Sequence, residues 1–283
     1  MSLDGIWYEA DQRHAEIIVD RMGLSGSGKG VVTPGMRKEE EPGDDEELNR
    51  TDATAYRGLV ARGNYLTQDR SDIQYAVKEL SRAMASPTIG DWKSLKRLAR
   101  YLVDRTRVKV KFEYQEWKRK IGVYVDTDYA GCRKTRKSTS GGVALIGNHM
   151  IKSWSTTQAV IALSSGEAEF YGIVKGSSIG IGIRSVLADL GVDCRIGVHT
   201  DASAAKAIAS RKGLGKVRHI EVNQLWIQDR VGSGDVELYK IPGTINPADA
   251  LTKYVESEIL IRHLNMTSQF VCQGRHVIMP QVS

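Results

Sequence analysis

Apolar residues recur at helical spacing in the N-terminal part of the 283-residue chain. Segments 53–64, 71–86 and 90–103 each place apolar residues three and four positions apart, which is the spacing of one face of a helix. We therefore predict a small helical segment over residues 51–117.

From residue 120 onward the pattern changes to the alternation that is typical of strands. Ile121, Val123 and Val125 occupy every second position, and the pair Gly147-Asn148 favours a hairpin turn. The predicted elements are strands at 121–126, 142–146 and 150–155, a helix at 165–190, a strand at 195–200, helices at 202–210 and 217–232, a strand at 236–241, and a short helix after Pro247. This order of five strands and four helices predicts an α/β domain.

Three glycines recur every fourth residue on one side of the long predicted helix. Gly172, Gly176 and Gly180 each cost a helix interior about 1 kcal/mol relative to alanine. We expect that they allow the helix to pack closely against another backbone.

The composition is that of a globular protein without membrane spans. Hydrophobic residues make up 41% and charged residues 26% of the chain, and no apolar run approaches the roughly 18 residues that cross a bilayer. The N-terminus lacks the layout of a signal peptide. Cys132, Cys194 and Cys272 are scattered and form no C-x-x-C pair, which favours a reducing compartment. We expect an intracellular protein of the cytoplasm or nucleus, neither secreted nor bound to a membrane.

The charge is unevenly distributed along the chain. Residues 37–47 hold seven acids and two bases, which predicts a flexible, solvated linker. Basic residues are concentrated at 93–120, 132–137 and 211–219, as expected of surfaces that bind a phosphate backbone. The residues that we predict to contact nucleic acid are Arg133, Lys134, Arg136, Lys137, Ser138, Lys216, Arg218 and His219.

Four acids occupy the ends of predicted strands or the predicted helices, and they are far apart in sequence: Asp126, Glu169, Asp201 and Asp249. Ligand sites of α/β sheets collect beyond the strand ends, and an unpaired carboxylate cluster requires hard cations, of which Mg²⁺ is the natural choice. Asp126 could instead be a turn residue, Asp201 a helix N-cap and Asp249 a first-turn acid. Both interpretations remain open at this point.

The motifs around these acids resemble those of one family. They are, in chain order, YVDTDYAG, RKSTSGG, SSGEAEF, VHTDASAA, KVRHIEV and NPADALTK. This series is similar to the ribonuclease H domain of copia-type retrotransposon Pol polyproteins. Residues 55–117 resemble the segment between polymerase and ribonuclease H in the same polyproteins, and residues 7–35 resemble the end of the reverse transcriptase region.

The resemblance implies a domain organisation. Residues 1–50 are a reverse transcriptase remnant with the acidic linker, and 51–117 are a helical connection segment. Residues 118–256 are an RNase H-like domain with a mixed five-stranded sheet flanked by helices, and 257–283 are a C-terminal tail.

The resemblance also implies two-metal hydrolysis of the RNA strand of RNA–DNA hybrids, with Mg²⁺, or Mn²⁺ as a substitute. Asp126 would bridge both ions, Glu169 and Asp201 would hold the second ion, and Asp249 would hold the first. Glu167 is the rival of Glu169 as the helical ligand.

The implied partners are an RNA–DNA hybrid and the reverse transcriptase portion of the same polyprotein. No Tyr-x-Asp-Asp polymerase motif is present, so we expect a polyprotein fragment without polymerase activity. The alternative function is that of a catalytically inactive retrotransposon remnant that keeps the fold and binds nucleic acid.

Overall fold

The structure is a computed structural model that describes residues 4–26, 29–37, 41–215, 220 and 222–280. Its strands are β1 (Gly5–Glu9), β2 (Arg107–Glu113), β3 (Lys120–Asp128), β4 (Thr139–Ile146), β5 (His149–Thr157), β6 (Arg195–Thr200), β7 (Val236–Lys240) and β8 (Gln269–Cys272). Its α-helices are α1 (Arg13–Arg21), α2 (Arg50–Leu66), α3 (Gln74–Arg82), α4 (Ile89–Val103), α5 (Ser165–Asp189), α6 (Ser203–Ser210), α7 (Trp226–Gly232) and α8 (Ser257–Met266). Short 3₁₀ turns lie at Ser71–Ile73, Val222–Gln224, Gly243–Ile245 and Asp249–Leu251.

The chain divides into two compact units. The first unit comprises Met1–Phe112 and Tyr254–Ser283, and the second comprises Glu113–Lys253. Within the described residues, no helix is both long and apolar enough to cross a membrane.

The helices predicted for the first unit are present, and local side chains explain where they begin. Asn49 caps α2 by accepting a hydrogen bond from the backbone N–H of Asp52 at 2.9 Å. Thr88 and Asp91 form a capping box at the start of α4, in which each side chain accepts from the other residue's backbone N–H. The helix predicted over 71–86 is shorter in the structure, where a 3₁₀ turn leads into α3.

The ends of the first unit differ from the sequence-based organisation. The segment 51–117 is not helical throughout, because its last part forms β2. The predicted tail over 257–283 instead contains α8 and β8, and β8 pairs antiparallel with β2, with Val108 opposite Val271. A pairing between residues so far apart in sequence leaves no local pattern from which it could be predicted.

A buried polar network ties this C-terminal segment to the helices of the first unit. Arg70 and Asp72 form an ion pair of 2.8 Å whose side chains are almost fully buried, and the Tyr101 hydroxyl donates to the same Asp72 carboxylate. The neighbouring Ser71 hydroxyl lies 2.7 Å from Nε2 of His263 in α8. The contact between Ser71 and His263 therefore joins α8 to this buried network.

The second unit is built on a mixed five-stranded sheet in the order β5-β4-β3-β6-β7. Strands β3, β4 and β5 are antiparallel neighbours, whereas β6 is parallel to both β3 and β7. The five strands predicted from the sequence are all present, in the predicted sequence along the chain. Of the helix predicted over 217–232, the described part comprises a 3₁₀ turn and α7, and the short helix after Pro247 is a 3₁₀ turn.

Helix α5 packs directly on the sheet through its glycine face, as predicted. A β-carbon at Gly172 would lie 2.7 Å from Oγ1 of Thr127. One at Gly176 would lie 2.5 Å from a methyl carbon of Val125, and one at Gly180 would lie 2.9 Å from Ile196. No side chain fits in this contact, so α5 sits at a fixed, short distance from β3.

Candidate metal centre

The parallel pairing of β3 and β6 brings two of the predicted acids to the same edge of the sheet. Tyr124 of β3 lies opposite His199 of β6. Asp126 comes two residues after Tyr124, and Asp201 comes two residues after His199. The two acids therefore lie at the same level along the two paired strands. Helix α5 supplies Glu169 from the layer above. One carboxylate oxygen from each of Asp126, Glu169 and Asp201 lies within 4.8 Å of the others.

Asp126 is held in place by a neighbouring hydroxyl. Its side chain is largely buried, at 7% exposure, and Oγ1 of Thr252 donates to its Oδ2 at 2.5 Å. Burial raises the pKa of the Asp126 carboxyl, and the charges of Asp249 and Asp201 raise it further. The Thr252 hydrogen bond opposes this shift.

Glu169 is the acid whose surroundings most clearly call for a proton or a positive charge. Among the described residues, its buried Oε2 atom has no hydrogen-bond partner. Burial raises the pKa of Glu169 to about 9, and the nearby carboxylates of Asp126 and Asp201 contribute to the shift. A buried carboxylate beside two others requires either a proton or a positive charge. Three converging oxygen ligands without Cys or His fit a hard divalent cation, so this cluster could bind a metal ion.

The rival acid Glu167 points to different partners. Its Oε2 accepts a hydrogen bond from the backbone N–H of Leu163 at 2.8 Å, and its Oε1 accepts from the Tyr171 hydroxyl at 2.9 Å. Both carboxylate oxygens therefore stabilise the start of α5. The structure places Glu169, and not Glu167, in the cluster.

The other two predicted acids occupy different environments. Asp201 does not cap α6, whose N-cap is Ala202 without a side-chain hydrogen bond, so the alternative interpretation of Asp201 as a helix cap is wrong. Asp249 is the first residue of its 3₁₀ turn and forms a 2.5 Å ion pair with Lys253. It lies outside the group of three ligands, although its charge acts on Asp126.

The predicted basic loop joins β3 to β4, immediately after the strand end that carries Asp126. Arg133, Lys134 and Arg136 are exposed and Lys137 is half-buried. Ser138 differs from the expected exposed contact, because it is fully buried and its hydroxyl accepts a hydrogen bond from the backbone of the loop. The remaining predicted contacts lie outside the described residues: Lys216, Arg218 and His219.

Three residues of the NPADALTK segment support the site without having been singled out from the sequence. Asn246 donates from its side chain to the backbone carbonyl of Val125 at 2.9 Å, which fastens this segment to β3. Thr252 and Lys253 then reach Asp126 and Asp249. In the sequence, the only indication of their role is that they belong to the same motif as Asp249.

Several curated relatives of this chain are transposon polyproteins. It is 32% identical over 206 residues to the retrovirus-related Pol polyprotein from transposon RE1 of Arabidopsis thaliana, a match that covers 72% of this chain and 14% of the relative. It is 28% identical over 254 residues to the polyprotein from transposon TNT 1-94 of Nicotiana tabacum, covering 87% of this chain and 19% of the relative. The chain thus spans less than a fifth of the length of these relatives. No protein-family model matches it.

Among solved structures, the chain is similar to LC11-RNase H1, isolated from compost, with 17% identity and a TM-score of 0.34. That match covers 52% of this chain and 99% of the other. The second unit has the mixed five-stranded sheet with helices packed on it that the sequence predicted. The resemblance to retrotransposon Pol polyproteins that the motifs predicted is therefore confirmed, since these relatives are retrovirus-related Pol polyproteins of plant transposons.

Proposed function

We propose that the second unit is a Mg²⁺-dependent nuclease that hydrolyses the RNA strand of RNA–DNA hybrids. The observation that carries this proposal is the convergence of Asp126, Glu169 and Asp201 within 4.8 Å, with a buried oxygen of Glu169 that has no donor in the described structure. Because each acid comes from a different element, only the fold creates this concentration of negative charge.

Asp126, Glu169 and Asp201 would hold the metal, and Asp249 would complete a second position. Two bound Mg²⁺ ions would supply charge neutralisation of the phosphodiester and activation of the attacking water. The same oxygen donors accept Mn²⁺.

The protein's own contribution is to fix the acids before substrate binds. Thr252 orients the Asp126 carboxylate. The glycine face of α5 sets the distance of Glu169 from β3. Gly243 leaves room for Asp201, because a β-carbon there would lie 2.8 Å from its Oδ2. A preorganised set of acids requires little rearrangement during the reaction, which favours catalysis.

The basic loop between β3 and β4 supports a nucleic-acid substrate. Its exposed Arg133, Lys134 and Arg136 follow directly after the strand that carries Asp126, so they suit the phosphates next to the scissile one. A hybrid would be recognised by the 2′-hydroxyls of its RNA strand and by its groove shape. In the whole polyprotein, the reverse transcriptase portion is the partner that we propose to add hybrid affinity.

Cleavage of a hybrid with end-labelled RNA tests the proposal. We expect Mg²⁺-dependent cleavage of the RNA, with none in EDTA and none of a DNA duplex. Asp126→Asn should reduce the rate to below about a hundredth, since one carboxylate of the metal cluster is lost. The matched control is Asp189→Asn, which changes an exposed acid at the end of α5 and should leave the rate unchanged.

Two outcomes would overturn the nuclease assignment. Cleavage that persists at the same rate in Asp126→Asn would show that the cluster is not the active site. Hybrid binding without cleavage by the wild-type chain would instead identify an inactive protein that retains the fold and binds nucleic acid.

A further inference from the structure

Lys253 places a positive charge at the edge of the carboxylate cluster. Its Nζ lies 2.5 Å from Oδ1 of Asp249, and its side chain is 44% exposed whereas that of Asp249 is 20% exposed. Burial opposes the charge of Lys253, yet the hydrogen bond to Asp249 and the charges of Asp249, Asp126 and Asp128 together raise its pKa. The ammonium therefore interacts with several acids at once.

The ion pair distinguishes Asp249 from the other three acids near the cluster. The three carboxylates within 4.8 Å of one another are those that Lys253 does not contact directly: Asp126, Glu169 and Asp201. Asp249 is close enough for its charge to raise the pKa of Asp126, but its Oδ1 is engaged by Lys253. The fourth acid is thus paired with a cation that the chain itself supplies.

We propose that Lys253 is a built-in competitor of the divalent cation for Asp249. This inference rests on the proposed metal-dependent function of the same site. In the metal-free protein, the ammonium partly neutralises the acids and so stabilises the fold. When the cation binds, Asp249 exchanges Lys253 for the metal, and the flexible lysine side chain moves into the solvent to which it is already partly exposed.

The charges determine the direction of the effect. A positive charge near a divalent binding site repels the ion, and it also occupies a ligand that the ion requires. Removing Lys253 should therefore strengthen metal binding and weaken the metal-free protein. A purely structural ion pair would change the stability alone.

Mn²⁺ binding to the full chain, without nucleic acid, provides the test. Free Mn²⁺ is measured by its electron paramagnetic resonance signal, and thermal unfolding is recorded in EDTA. We expect Lys253→Gln to bind Mn²⁺ roughly tenfold more tightly and to unfold at a lower temperature than the wild type in EDTA. Lys253→Arg, which keeps the charge, should restore both properties. Arg230→Gln is the matched control, because it removes a similarly exposed cation that is paired with Asp235, and it should not change Mn²⁺ affinity.

Unchanged Mn²⁺ affinity in Lys253→Gln would overturn the inference, because the pair would then be an ordinary surface ion pair. Weaker Mn²⁺ binding would also overturn it, since Lys253 would then orient Asp249 for the metal and not compete for it. Failure of the proposed function looks different: the wild type would bind no Mn²⁺, or Asp126→Asn would bind it equally well.

Discussion

Two glycines on the same helix should respond in opposite directions to the same substitution. Gly176 of α5 faces the sheet, where a β-carbon would lie 2.5 Å from a methyl of Val125 and 3.2 Å from a methyl of Val123. These valines are fully buried and β-branched, so they cannot move aside easily. Gly182, six residues later in α5, is exposed, and a β-carbon there would have no atom within 4 Å.

The two terms of the free energy can be estimated for each substitution. Overpacking a rigid core costs about 1–3 kcal/mol, whereas replacing glycine by alanine in a helix gains about 1 kcal/mol. Because the 2.5 Å approach to Val125 is far inside van der Waals contact, the cost lies in the upper part of this range, and Gly176→Ala should lower the free energy of unfolding by about 1–2 kcal/mol. Gly182→Ala meets no steric cost and should raise it by about 0.5–1 kcal/mol.

Urea unfolding followed by fluorescence measures both changes, and amide hydrogen exchange of β3 peptides identifies the unit that is affected. Gly176→Ala should also weaken divalent-cation binding, because Asp126 directly follows Val125 in β3. If Gly176→Ala were as stable as the wild type, or if Gly182→Ala were equally destabilised, the close packing of α5 on β3 would not be what requires glycine at this position.

Three further predictions address charge and space in the two units. The pKa of Glu169 is about 9, so in EDTA the folded protein keeps a proton on this side chain at pH values where the unfolded chain has lost it. The free energy of unfolding should therefore fall by up to about 1.4 kcal/mol per pH unit from pH 5 to pH 9. An equally steep fall in Glu169→Gln would contradict this prediction. Asp72→Asn leaves the buried Arg70 guanidinium without its carboxylate and should lower the free energy of unfolding by about 3–5 kcal/mol. Urea unfolding measures this change, and a loss below about 1 kcal/mol would show that the ion pair is dispensable. Gly243→Ala should displace the Asp201 carboxylate, because its Oδ2 would lie 2.8 Å from the new β-carbon. The variant should keep the fold and bind Mn²⁺ at least several-fold more weakly. Unchanged Mn²⁺ affinity would mean that the turn adjusts to the new side chain.

Local patterns were sufficient to predict much of the second unit. The strand expected at 195–200 has the same bounds as β6, because alternating apolar residues between polar ends define it. The glycines of α5 were informative for a physical reason: a costly residue repeated on one helix face indicates a close contact. The acids at the strand ends could be singled out, since ligand sites of α/β sheets collect beyond the strand ends.

Features that depend on distant residues could not be predicted in this way. The pairing of Val108 with Val271 joins segments that carry no shared signal, so the sequence predicts only a tail for the C-terminal segment. Lys253 looks like an ordinary surface lysine in the sequence, and only the structure shows that it engages Asp249. The choice between Glu167 and Glu169 likewise depends on which side of α5 faces β3.

That choice provides the most direct test of the central claim that three acids from separate elements form one divalent-cation site. Mg²⁺ affinity is measured by calorimetry for Glu169→Gln and Glu167→Gln, two variants that differ by two positions on one helix. We predict that Glu169→Gln loses Mg²⁺ binding, because one ligand of the cluster is removed, and that Glu167→Gln retains it, because its contacts are with Leu163 and Tyr171. Retained binding in Glu169→Gln together with lost binding in Glu167→Gln would contradict the account.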